Sequence, residues 1–119
     1  MARIFNPRIN IFNAAFFTTA TLILGGCGAV IPRVTPELVA LAQQREKAAS
    51  AGYLEESRAL YVTRCSSCHS LNDPRDYTEE DWPGWMHKMA RKAKISSEQE
   101  QQLLVFVLAA RDLPMKSSP

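Results

Sequence analysis

The stretch Cys65-Ser66-Ser67-Cys68-His69 organises the rest of the chain. It is a C-x-x-C-H sequence, the attachment signature of a c-type haem. Two thiols three positions apart can each add to one of the two vinyl groups on the same porphyrin edge. The His directly after the second Cys is then held under the iron, where its imidazole supplies one axial nitrogen. Other chemistries also use paired cysteines. A thioredoxin-like redox pair follows a strand in a βαβ pattern, whereas Tyr61-Val62-Thr63-Arg64 reads as the end of a helix. A structural zinc takes four ligands, and no second Cys/His pair follows. The expectation is one covalent haem c, linked through Cys65 and Cys68, with His69 on the iron.

The N-terminus sets the compartment. Arg3 and Arg8 make a basic start, an apolar run extends from Ala14 to Leu24, and Leu24-Gly25-Gly26-Cys27 closes it with small residues. That is the pattern of a secretory leader over residues 1–26. Asn10 and Asn13 interrupt the run, and its apolar part falls short of the roughly 20 residues a membrane-crossing helix needs. Leu-Gly-Gly-Cys also reads as a bacterial lipobox, in which Cys27 becomes the acylated first residue of the mature chain; a plain periplasmic product is the alternative. Two or more acyl chains would anchor it stably. Gly28 stands where an Asp would favour retention in the inner membrane, which points to the outer membrane. The cysteine count follows, since one of three takes lipid and two take haem, leaving none for a disulfide.

The chain has 119 residues and a formal charge of +2, and both excess charges lie in the leader. The mature chain is near neutral, so nothing in its charge points to nucleic acid. Residues 27–35 read as a Pro- and Gly-marked tether. Residues 36–52 read as an N-terminal helical extension, capped by Thr35 with Pro36 in its first position and running to about Ser50. Its narrow apolar face suits packing on the domain, with partner binding as the alternative. Gly52 is expected to end it. A second helix from about Leu54 leads into the haem motif with Leu60 and Tyr61 inward. Asn72-Asp73-Pro74 marks a turn in the loop that follows. A buried axial imidazole passes its other N–H to a carbonyl or carboxylate, and the carbonyl of Pro74 is the expected acceptor for His69.

Pro83 belongs in a first helical turn, so a helix is expected from near Trp82 to about Ala93. Trp82, Met86, Met89 and Ala93 are spaced as one helical stripe. Trp82 and Trp85 are expected to wall the haem pocket. Ser96 and Gln99 form a capping box for a last helix running to about Arg111, and residues 114–119 read as a tail. The fold expected is all-α: three core helices over residues 53–113 around the haem, plus the extension. Some sixty residues make a small core, and a covalent cofactor would staple it.

The order of helix, C-x-x-C-H, loop, Met-bearing helix and C-terminal helix resembles a class I monohaem cytochrome c over roughly half of the chain. The resemblance implies that the helix before the motif crosses the last helix, Ser57 and Tyr61 meeting Leu103 and Phe106. Ser57 stands where Gly is usual, which implies a slightly wider crossing. A narrower likeness joins the Cys65–His69 motif to Tyr77-Thr78, Trp82, Lys88-Met89, Ile95-Ser96 and Glu100. It resembles small c-type domains found in lipoproteins and multidomain oxidoreductases. For the sixth iron ligand the spacing leaves Met86 and Met89 open, with His87 or an open site beside them; the narrower likeness implies Met89.

A Met/His haem carries single electrons and has no place for substrate, so the expected function is electron transfer for a redox partner protein, without enzyme activity of its own. A haem enzyme or gas sensor with an open distal site is the alternative, as is an accessory lipoprotein in which the motif is accidental. No His, Arg or carboxylate is arranged as a distal acid/base group. Lys88, Arg91, Lys92 and Lys94 gather beyond Met89, with Asp73, Asp76, Glu79, Glu80 and Asp81 before it. They read either as solvated faces or as docking edges for that partner.

Overall fold

The computed structural model describes residues 28–115. The leader, Cys27 and residues 116–119 lie outside them. The described residues are all-helical, with four α-helices and two short 3₁₀ turns and no strand. None of these helices is long and apolar enough to cross a membrane.

Helix α1 spans Pro36–Gln43, its first turn closed by Thr35, whose hydroxyl accepts from the Leu38 amide. It ends seven residues before the expected Ser50, in turns tied by Arg45 and Glu46 amides bonding the Ala42 carbonyl. Helix α2 spans Ala51–Arg64 and starts earlier than expected. The Ser50 hydroxyl accepts from the Tyr53 amide and caps it. Gly52 therefore lies in the first turn of α2, where amides lack an intrahelical partner and its flexibility costs little. Helix α3 spans Trp82–Ala93 with Pro83 in its first turn. Helix α4 spans Ser97–Asp112, and Ser96 and Gln99 form the capping box as expected.

The core has four helices, not three. Leu38, Ala42 and Ala49 are fully buried in the same cluster as Leu54, Tyr61, Trp82, Met86, Leu103, Phe106 and Val107. The N-terminal extension is thus a wall of the domain, packed on α4. Its narrow apolar face suffices because α4 is buried almost continuously from Phe106 to Ala110, which leaves a second apolar side to cover. Arg45 clips the arrangement from outside, bonding Glu79 and Asp112 at 2.6 Å each.

Helices α2 and α4 pack together with the Tyr61 and Phe106 rings 6.2 Å apart, and Ser57 and Leu103, the other two residues expected at this crossing, are both buried. Ser57 is a buried polar side chain of α2. Its hydroxyl donates to the Tyr53 carbonyl one turn back at 2.6 Å, so a serine fits there without an orphaned group.

Candidate functional site

Arg64 is the last residue of α2, and the chain tightens there into a 3₁₀ turn over Cys65–Ser67. The tightening places Cys65 half-buried against the core and leaves Cys68 and His69 exposed. Burial pushes the Cys65 thiol above its ordinary pKa. The His69 Nδ1 lies 2.6 Å from the Ser70 carbonyl oxygen. A carbonyl only accepts, so Nδ1 carries the proton and Nε2 keeps the free lone pair.

Beyond the motif, Asp73 caps a second 3₁₀ turn, Pro74–Asp76, through a reciprocal capping box with Asp76. The Tyr61 hydroxyl donates to the Asn72 carbonyl at 2.8 Å, which ties this loop to α2. Burial raises the pKa of that phenol well above its ordinary value, so it stays a donor.

These elements enclose a cavity of about 480 Å³ together with α3. Cys65, Cys68 and His69 line it from the motif, and Met89 lines it from α3. Tyr77, Trp85 and Ala93 add apolar wall, while Arg64, Lys88 and Lys92 add positive charge. No carboxylate is among the lining residues. The Lys88 Nζ sits 4.9 Å from the centre of the Trp85 ring, which holds the indole from one side as Tyr77 does at 5.2 Å.

The spacing of the α3 lining explains the difference between the two methionines. Trp85, Lys88, Met89, Lys92 and Ala93 form one helical face at i, i+3, i+4, i+7 and i+8, and that face borders the cavity. Trp82, Met86 and Ala90 form the adjacent face, and it is buried in the core. Met86 is 1 % exposed and does not line the cavity. Sequence spacing merged these faces because Met89 and Ala93 sit near their shared edge.

Two residues expected at the site are placed elsewhere. Trp82 is fully buried, and its Nε1 donates to the Pro74 carbonyl at 2.8 Å. The Pro74 carbonyl thus holds Trp82, and His69 bonds Ser70 instead. Both lie behind the wall, with Tyr77 packed edge-on against Trp82. The exposed His87 faces Glu100 at 3.1 Å and does not border the cavity. Residues not expected here are Tyr77, Asn72 and the cations Arg64, Lys88 and Lys92. The signal for the lysines is their spacing, Lys88 three residues after Trp85 and Lys92 three residues after Met89.

The donor set suits a haem. It offers two thiols, an imidazole with its Nε2 lone pair free, a thioether, flat aromatic wall, and three cations that complement two propionates. Among the described residues no three His, Cys, Asp or Glu side chains come together as a metal-binding group, so the paired cysteines have no partners for a zinc site. Comparison with protein families, with curated proteins and with solved structures finds no match to this chain.

Proposed function

We propose that this chain is an exported, lipid-anchored electron carrier of the cytochrome c type, in which Cys65 and Cys68 would attach haem c and His69 and Met89 would hold its iron. The observation that carries this reading is the convergence of Cys65, Cys68, His69 and Met89 on one cavity while Met86 turns into the core. When bound, the haem supplies one iron that cycles between its ferric and ferrous states.

The residues of the chain do the rest. The Ser70 carbonyl accepts from His69 Nδ1 and so fixes the ring's orientation and leaves Nε2 free to bind iron. Met89, which lines the cavity, would hold the iron and leave no place on it for a substrate, and a Met ligand raises the potential. Tyr77, Trp85 and Ala93 supply apolar wall for the flat haem ring to lie against. Arg64, Lys88 and Lys92 supply positive charge to hold carboxylates. Among the described residues no carboxylate borders the space to serve as an acid/base group, which favours electron transfer over haem catalysis. Acylation of Cys27 would keep the carrier at the membrane, beside redox partner proteins.

The test is the optical spectrum of the full chain purified from an exporting, haem-loading bacterial host, with and without carbon monoxide. The expected result is a covalent haem spectrum that carbon monoxide leaves unchanged in the ferrous form. Absence of covalent haem would overturn the reading, and ready binding of carbon monoxide would replace it with an open-site haem protein.

A further inference from the structure

The segment that joins the anchor to the domain is not free. Residues 28–34 form no helix or strand, yet they are fastened along the protein. The Val30 amide donates to Asp73 Oδ2 at 3.3 Å. Arg58 of α2 donates to the Pro32 carbonyl from Nε at 2.8 Å and reaches the Ile31 carbonyl from Nη2 at 3.5 Å. Ile31 and Val34 pack against the core. Asp73 is itself held by the turn it caps, its Oδ1 accepting from the Arg75 amide at 2.9 Å. The fastening point is therefore a rigid part of the loop after His69, and the neighbouring Asn72 lines the cavity.

Chain length makes this consequential. A free tether over residues 27–35 would let the domain wander by about 16 Å and turn in any direction. With Val30 fixed, only three peptide steps separate Cys27 from the fastening point, a reach of at most about 11 Å. An acylated cysteine sits at headgroup level, and the headgroup region beside the hydrocarbon core is itself about 6 Å deep. A domain held that closely at one point has one side turned to the lipid.

Resting on the reading of Cys27 as acylated, we propose that residues 28–34 are a strap that holds the Asp73 loop, and with it the Asn72 wall of the cavity, against the headgroup surface of the bilayer carrying the anchor. The start of α4 is remote from this loop. The other end of that helix lies by the loop, because Arg75 Nη2 donates to the Leu113 carbonyl at 3.1 Å. The 16 residues of α4 then separate the two ends by about 24 Å.

The experiment uses the haem-loaded full chain in vesicles of phosphatidylethanolamine and phosphatidylglycerol, and again in detergent. Single cysteines at Arg75→Cys and Glu98→Cys are reacted with a bulky polyethylene glycol maleimide. The Arg75→Cys rate should fall several-fold on moving from detergent to vesicles, while the Glu98→Cys rate stays the same. A Gly/Ser insertion of about six residues between Gly28 and Ala29 should restore the Arg75→Cys rate. Amide exchange over residues 70–76 in the unsubstituted chain should slow in vesicles in parallel. Equal rates in both media, or slowing that survives the insertion, overturns the strap. A chain that does not float with vesicles and whose Cys27 peptide lacks acyl mass overturns the lipid reading itself.

Discussion

The indole Nε1 of Trp82 donates a 2.8 Å hydrogen bond to the Pro74 carbonyl oxygen, and both residues are fully buried. This bond ties the loop after Cys65–His69 to the start of α3. Replacing Trp82 by Phe keeps an aromatic ring but leaves the Pro74 carbonyl unpaired inside the protein. The expected cost is about 2 kcal/mol, read as a lower urea midpoint. Because Trp82 lies outside the cavity lining, the visible spectrum of the loaded protein should not change. A shifted haem spectrum with unchanged stability would assign Trp82 to the cofactor instead.

Met86 and Met89 separate cleanly by substitution. Met86→Leu conserves volume in the core and should cost under about 1.5 kcal/mol. It should leave the ferrous protein indifferent to carbon monoxide. Met89→Ala removes the thioether from the cavity wall and should make that protein bind carbon monoxide readily. The reverse pattern would move the sixth ligand to Met86.

The all-helical class was legible from punctuation and spacing. Pro83 marked the first turn of α3, and Ser96 with Gln99 marked the start of α4, because capping is a local interaction that spacing alone encodes. That α1 packs on the domain was legible from its narrow apolar face, but which helix it packs on was not. Its burial depends on the broad apolar side of α4, which lies far along the chain and cannot be weighed from α1 alone. The same holds for the strap, whose partners Arg58 and Asp73 are 26 and 43 residues away from theirs. At the site, the motif itself was plain, and the cavity face of α3 needed the core to say which of two adjacent stripes was already taken.

Arg45 bonds both Glu79 and Asp112 at 2.6 Å, joining the turn after α1 to the segment before α3 and the end of α4. The hydrogen bond from Arg45 holds the Glu79 carboxyl below its ordinary pKa of 4.5. The folded state therefore binds fewer protons at Glu79 than the unfolded chain does. Its contribution is complete above about pH 4.5 and is lost as the pH falls through the lower folded value. Arg45→Ala should lower the urea midpoint at pH 7, and the gap from the unsubstituted chain should narrow below pH 4.5. The Glu79 titration midpoint, followed by carboxyl-carbon NMR, should rise in the variant.

Lys94 ends α3 with φ 53° and ψ 47°, the positive-φ non-glycine residue among those described. A Cβ in this left-handed region crowds the following carbonyl at a cost of about 1 kcal/mol. The conformation persists because the chain must reverse there. The Lys94 and Ile95 amides both bond the Ala90 carbonyl, and Ile95 packs back on the core. Glycine adopts this geometry freely but also loosens the unfolded chain, which offsets part of the gain. Lys94→Gly should therefore stabilise the protein by about 0.5 kcal/mol, seen as a higher urea midpoint. Lys94→Ala removes the same charge and keeps the Cβ, so it should give no such gain. Equal stabilisation by both would show that repulsion from Arg91 and Lys92, not backbone strain, governs this position.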